Sequence, residues 1–485
     1  MKDLAGLVSE RECSLINGSW VAADDSGQFA VTNPATGATL ALVPDMGAAE
    51  TLRAVDAASD AFASWKRVPA QQRAEILRRW FALIKEHADE LARLVTLEQG
   101  KPLREAQGEV NYAAAYVEWF AEEARRIDGS VIPSPFADRR YLATRQPVGV
   151  VAAITPWNFP LAMITRKLAP ALAAGCTVVL KPAEATPLSA LALAELAVRA
   201  GVPDGVLNVV TAAQGDKVGD ALCSSALVRK LSFTGSTVVG KLLLKKCADT
   251  VKRVSLELGG HAPFIVFDDA DVDAAVKGLM TAKFRNAGQT CVCANRVYVH
   301  ETVHDEFITK LTAAMQGLRC GDGLDAATDI GPLINPSAIA KVEQHVEDAV
   351  AKGAVLQSGG QVGDGQWYQP TLLTGVSADM LVAQEETFGP VVPVIRFTSD
   401  DEVLAAANNI SAGLAAYFYS RDIGRVWRVA EQLEYGMVGI NTGIVSSEVV
   451  PFGGVKESGL GREGSRQGID EYLETRFISM AGLDA

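Results

Sequence analysis

The 485-residue chain is 48% hydrophobic and 21% charged, ordinary proportions for a soluble globular protein, and it is long enough for roughly three domains or sub-domains. A formal net charge of −13 argues against general binding to nucleic acid or to an anionic membrane surface. No apolar run approaches the roughly 18 to 20 residues of a membrane span, and the acid-bearing start MKDLAGLVSERECSLING reads as neither signal nor transit peptide, so a cytoplasmic location is expected.

Residues 48–66 and 70–126 are predicted as helices, because Leu77, Trp80, Ile84, Leu91 and Leu94 recur at three- and four-residue steps with charges between them. From residue 148 the texture changes. VGVVAAI, CTVVLKP, GVLNVVT and VRKLSFTG read as strands, and 161–174, 187–200 and 236–248 as the helices between them; RVSLELGG closes the block near residue 260. Such alternation implies parallel β-α-β units with ligands at the carboxyl ends of the strands. A second α/β unit follows: APFIVFDDAD, a helix at 271–287, the strand NRVYVH, a helix at 303–317, then VVPVIRF and VGINTG. The arm RRYLATRQ (139–146) and the tail EYLETRFISM (471–480) stand outside both units and are expected to pair with each other or with a partner subunit.

Of seven cysteines, Cys291 and Cys293 flank a single valine in FRNAGQTCVCANR, one residue short of the C-x-x-C of redox pairs and zinc knuckles. The scattered remainder suggests reduced thiols rather than a disulfide framework. HETVH (300–304) matches a zinc-peptidase pattern, but His300 ends a strand and Thr302 to Asp305 resembles a capping box that would start a helix between the two histidines, so no metal is expected. Lys181 and Glu184 of KPAEATP follow a strand, where an ammonium and a carboxylate could hold ribose hydroxyls; a surface ion pair is the competing reading. Gly215 and Gly219 of QGDKVG, and Gly235 and Ser236 before a helix, could offer amides to a phosphate, or be plain turns. For Cys291 to act as a nucleophile it needs a base and an electrophile clamp. Glu257, ending RVSLE, and Asn158, in TPWNFP, both lie at strand ends.

In order along residues 10 to 480, PWNFP, KPAE, FTGST, LELGG, GQTC, EETFGP and PFGGVKESGLGRE resemble the aldehyde dehydrogenase superfamily, and within it the succinate-semialdehyde dehydrogenases. The resemblance implies an α/β fold with a Rossmann-like cofactor domain (1–124 and 148–257), an α/β catalytic domain (258–446) and a small β oligomerisation arm (125–147 and 447–485) in a homo-oligomer, dimer or tetramer. It implies NAD(P)-dependent oxidation of an aldehyde. Cys291 would be the nucleophile, Asn158 with the Cys291 amide the oxyanion hole, and Glu257 the base that activates water for thioester hydrolysis. By the same resemblance Trp157, Lys181, Glu184, Gly215, Gly219, Gly235, Ser236, Glu386 and Phe388 hold the cofactor, NAD with NADP as the alternative. Arg166, Arg285 and Ser446 would bind a remote carboxylate, which suits guanidinium chemistry; for Arg166 alone a surface ion pair competes. Arg285 could also lower the Cys291 pKa, and Cys293 is a candidate redox-switch partner for Cys291. His261 and Leu161 depart from residues common in the family, and no role is assigned to position 261. Two other classes stay open: a non-redox cysteine acyltransferase or esterase, and a non-catalytic binding protein. Glutaric semialdehyde differs from succinic by one methylene, worth about 1 to 3 kcal/mol, and both stand as substrates.

Overall fold

In the computed structural model, which describes residues 14–482, five parallel strands frame an eight-stranded sheet. Val150–Ile154, Thr177–Lys181, Leu207–Val209, Val228–Thr234 and Arg253–Glu257 lie in the spatial order 3-2-1-4-5 by chain position. The order therefore reverses beside Val150–Ile154, the place where a doubly wound sheet opens a crevice for ligands. These strands are buried on both faces, which is why they read as continuous apolar runs. Val151 and Ala153 pack into one core with helices Ala70–Glu86, Ala162–Ala174 and Pro187–Arg199. Val150 and Ala152 turn to another core with Val55, Val218 and Leu243, as alternation along a strand requires.

A seven-stranded sheet carries the second unit, with Ala262–Val266, Ala294–His300, Thr371–Thr374, Val391–Phe397, Ala415–Tyr419 and Met437–Ile440 parallel and Val355–Ser358 antiparallel at one edge. Phe264 and Val266 face one core and Ile265 and Phe267 the other. Arg139–Pro147 and Leu473–Ala481 pair antiparallel from Pro147↔Leu473 to Arg139↔Ala481, so the arm and tail join within one chain. Gly459–Leu460, in the same late segment, adds instead to the edge of the first sheet. Among the described residues no helix is long and apolar enough to cross a membrane. Cys13 lies outside the described residues.

Several expectations need correction. The predicted 70–126 helix is three helices, Ala70–Glu86, Ala88–Gln99 and Leu103–Glu123, followed by a short 3-10 turn. His87 leaves helical geometry at φ −98°, ψ 25°, and Gly100 at φ +95° closes the second helix just before Pro102, a common glycine stop. The 271–287 helix ends at Phe284. Thr302 forms no capping box; its hydroxyl lies 2.9 Å from His300 Nδ1, and the helix begins at His304, the second histidine of the zinc-like motif. No cluster that could hold a metal occurs among the described residues. Helices Gly215–Ser224, Pro336–Ala351, Asp400–Asn408 and Ile423–Gln432 went unread. Three of them carried cap signals: Asn335, Ser399 and Asp422 each accept the amide three residues on.

Candidate active site

Strand ends bring the site together. Val150–Ile154 runs into Trp157 and Asn158, Val228–Thr234 into Gly235 and Ser236, and Arg253–Glu257 ends on Glu257. Cys291 arrives from the second unit, between helix Val272–Phe284 and strand Ala294–His300. The chain reaches it through Asn286, Ala287 and Gly288, all left-handed at φ 53°, 55° and 77°. Such a run is unfavourable for residues other than glycine; here it is pinned, because Glu105 accepts the Asn286 amide at 2.7 Å and Asn286 Nδ2 donates to the Asn158 carbonyl at 2.9 Å. Gly260 lets the two units touch: a Cβ there would sit 2.4 Å from the Cys291 carbonyl oxygen.

Cys291, Glu257 and Asn158 line one cavity of about 370 Å³. Asn158 Nδ2 gives one hydrogen to the Gln289 carbonyl at 3.1 Å, and the Asn158 carbonyl accepts from Lys101 Nζ at 2.8 Å. Its amide is thus aimed, with a second N–H left over. Neither Glu257 carboxylate oxygen has a hydrogen-bond partner among the described residues. Burial, and then the neighbouring Glu463 carboxylate, raise its pKa well above the usual range, with Arg166 the main opposing influence. Burial pushes the Cys291 thiol up to about 12, offset first by Arg166. Arg285 acts on the thiol in the expected direction but is outweighed by burial, so the expectation of a lowered pKa is corrected.

Arg166, Arg285 and Ser446 line the same cavity. Arg166 is not a surface arginine: it is 1% exposed, with Nε 2.8 Å from Glu463 Oε2 and its guanidinium 4.1 Å from the Phe452 ring centre. Lys167 holds the other Glu463 oxygen at 2.6 Å. Arg285 is half-buried, stacked 5.1 Å from the Phe159 ring centre.

Trp157, Gly235, Ser236, Glu386 and Phe388 complete this cavity, with Trp157 and Phe388 edge to face at 5.6 Å. Glu184 lines an adjoining cavity of about 290 Å³, and Ile334 forms part of both walls. Buried Lys181 reaches exposed Glu184 at 3.5 Å, and Gly215 leaves the space above Lys181 Nζ open. Ser236 caps helix Thr237–Ala248 by accepting the Val239 amide, and the positive end of that helix lies at the cavity, as suits a phosphate. The set fits a dinucleotide: an ammonium and a carboxylate for vicinal hydroxyls, a helix N-terminus for phosphate, and a wall of two aromatic rings. Glu386 Oε1 accepts the Gly260 amide at 3.2 Å. His261 is buried beside that segment, its Nε2 3.0 Å from the Ala383 carbonyl. Lys181, Gly215, Gly219 and Cys293 lie outside the wall of the main cavity. Cys293 is fully buried with its sulfur 3.6 Å from the Lys283 carbonyl.

Residues missed from sequence include Lys101 and Glu109, a buried ion pair at 2.5 Å whose carboxylate also accepts the Leu161 amide. Tyr112 and Tyr116 were missed as well. The signal was present: Glu105, Glu109, Tyr112 and Tyr116 share one helix face at three- and four-residue spacing.

A thiol and a buried carboxylate thus share one cavity at the mouth of a dinucleotide-type sheet. The model of the aldehyde dehydrogenase family matches residues 20–478, and the chain belongs to that family. It is 60% identical over 476 residues to the 3-sulfolactaldehyde dehydrogenase of Pseudomonas putida, covering 98% of each chain. It is also 60% identical over 470 residues to the NADP(+) succinate-semialdehyde dehydrogenase GabD of Escherichia coli strain K12, covering 96% of this chain and 97% of that one. The crystal structure of succinate-semialdehyde dehydrogenase from Burkholderia pseudomallei matches with a TM-score of 0.97 at 57% identity, over 99% of each chain.

Proposed function

We propose that the protein oxidises an aldehyde carrying a remote anion, succinic semialdehyde foremost, to the acid, with NAD as preferred hydride acceptor. The observation that carries this is that Arg166, Arg285 and Ser446 share one cavity with Cys291, Glu257 and Asn158. The Cys291 thiolate adds to the aldehyde carbon, and Asn158 Nδ2 with the Cys291 amide donates to the new oxyanion. A bound nicotinamide supplies the acceptor for the aldehyde hydrogen, leaving a thioester on Cys291. Glu257 takes a proton from water, the hydroxide attacks the thioester, and acid and thiolate are released. A sulfonate substrate is the second reading, favoured by the Pseudomonas relative: in 3-sulfolactaldehyde the sulfur stands where succinic semialdehyde has its carboxylate carbon. Glutaric semialdehyde adds one methylene to that span. Comparing kcat/KM for the three aldehydes and for butanal tests the proposal, and a preference for butanal would sink it.

Arg285→Ala is expected to lower kcat/KM for succinic semialdehyde by roughly 10- to 150-fold, the worth of a charge-assisted hydrogen bond, while sparing butanal. Arg166→Ala should act in the same direction. If both aldehydes fall equally, the arginines serve structure only.

Glu184 supports NAD over NADP, because an exposed carboxylate accepts from a ribose 2′-hydroxyl and repels a 2′-phosphate. Glu184→Ser should narrow the preference. A parent enzyme at least as efficient with NADP refutes this assignment.

We further infer that Cys293 resolves an oxidised Cys291. With the Cys293 sulfur turned to the Lys283 carbonyl, a 291–293 bond requires the loop to move and is therefore easily reduced. Mild peroxide should abolish activity and dithiothreitol restore it, whereas Cys293→Ala should lose the recovery. Equal recovery in the variant assigns Cys293 to packing. The segments 1–124 and 148–257, 258–446, and 125–147 with 447–485 are taken as cofactor domain, catalytic domain and oligomerisation arm of a cytoplasmic homo-oligomer. Support for the arm is an exposed apolar row on one face of its sheet, Val131, Ile478 and Met480 at 78%, 36% and 40% exposure.

A further inference from the structure

On helix Leu103–Glu123, Tyr112 and Tyr116 stand one turn apart with their hydroxyl oxygens 3.1 Å apart and their rings edge to face at 5.1 Å. Arg166 Nη2 donates to the Tyr116 hydroxyl at 3.1 Å. A guanidinium can only donate, so the Tyr116 oxygen accepts there and its own hydrogen goes to another oxygen. Two are in reach, the Ser447 carbonyl at 3.5 Å and the Tyr112 hydroxyl at 3.1 Å. The shorter contact is the better hydrogen bond. The Tyr112 oxygen therefore accepts from Tyr116, which leaves the Tyr112 hydrogen to point into the cavity that Tyr112 lines with Arg166, Arg285 and Ser446.

The charge of Arg166 is already engaged, its Nε lying 2.8 Å from Glu463 Oε2. Its pull on a substrate anion is thus largely balanced by a carboxylate, and Arg285 remains the more open cation. What Arg166 sends toward the cavity travels through two phenols. In a chain of hydrogen bonds each donor is strengthened by the one behind it, and a phenol backed by an arginine-polarised phenol is a good partner for an anion.

We propose that the Tyr112 hydroxyl donates directly to the remote anion of the substrate and helps set specificity for it, with Tyr116 as the positioning residue that orients and polarises it. This rests on the semialdehyde reading above. It adds a neutral, directional donor to the two arginines and the serine.

The test measures KM and kcat of Tyr112→Phe, Tyr116→Phe and the double variant with succinic semialdehyde and with butanal, and inhibition by succinate. Tyr112→Phe should raise KM for succinic semialdehyde roughly tenfold, the lower end for a hydrogen bond to a charged group, with kcat changed little and butanal unaffected. Succinate inhibition should weaken in parallel. Tyr116→Phe should shift KM the same way by less, and the double variant should be no worse than Tyr112→Phe alone, because links of one chain do not add. An unchanged KM for succinic semialdehyde, an equal shift for both aldehydes, or full additivity overturns the proposal. Should Tyr116→Phe fail to fold, the Tyr112→Phe comparison decides. Should the parent prefer butanal, the semialdehyde reading falls, and succinate inhibition decides the tyrosine: weakened in Tyr112→Phe it supports the contact, unchanged it refutes it.

Discussion

Glu257→Gln is expected to form about one equivalent of reduced nicotinamide per active site at near the parent rate and then to turn over roughly 100- to 10,000-fold more slowly, the range for loss of a general base. Hydride leaves before water is needed, so removing the base strands the enzyme as thioester. The side chain is nearly isosteric, and Glu257 makes no hydrogen bond among the described residues, so the substitution breaks no scaffold contact. The pH behaviour carries the same message. Burial and Glu463 hold the Glu257 pKa well above the usual carboxylate range, and only the ionised form accepts a proton. Deacylation in the parent should therefore rise with pH and level off only above the raised pKa, a limb the glutamine variant lacks. Acylation should also climb with pH, since burial pushes the Cys291 thiol up to about 12 and the thiolate is the nucleophile. Rapid-mixing measurements of reduced nicotinamide separate the phases. A variant with no first-turnover burst and intact hydrolysis of a pre-formed thioester would place Glu257 in the wrong step.

What could be read from sequence followed from how local each signal is. VGVVAAI and CTVVLKP announced themselves because strands buried on both faces need continuous apolar residues, and the helices between them fill a fixed slot. The 70–126 stretch misled because its apolar period carries across two breaks, at His87 and at Gly100, that change direction without changing composition. That Cys291, Glu257 and Asn158 would meet in one cavity was legible because Glu257 and Asn158 follow strand ends and Cys291 leads into a strand, each in a distinctive short motif. Arg166 was harder. Its partner Glu463 lies 297 residues away in the tail, so no window of sequence could show that a buried carboxylate engages the arginine. The same holds for Lys101, whose contact to the Asn158 carbonyl spans 57 residues, and for Tyr116, whose hydroxyl is given a direction only by Arg166 from another helix.

Asn158→Ala should lower kcat by roughly 100- to 1000-fold, the worth of one oxyanion donor, with KM for the aldehyde little changed. The loss should fall on the step that Glu257→Gln spares. One hydrogen of the Asn158 amide is given to the Gln289 carbonyl at 3.1 Å, which fixes the rotamer, and in the proposed mechanism the other would meet the oxygen that becomes negative when Cys291 adds. The backbone of Asn158 is held independently, its carbonyl accepting from Lys101 Nζ at 2.8 Å and from Asn286 Nδ2 at 2.9 Å. Alanine therefore removes the donor while the turn that carries it stays tethered, and the measured change reports the oxyanion contact more than a collapse of the loop. The burst of reduced nicotinamide expected of Glu257→Gln should disappear in Asn158→Ala, because adduct formation becomes slow relative to thioester hydrolysis. Transfer of deuterium in place of the aldehyde hydrogen should then slow steady-state turnover if hydride transfer shares the limiting barrier with addition. A full-amplitude burst at the parent rate in Asn158→Ala would show that the oxyanion is held elsewhere, by the Cys291 amide alone, and that Asn158 serves only to tie the two units together through Asn286.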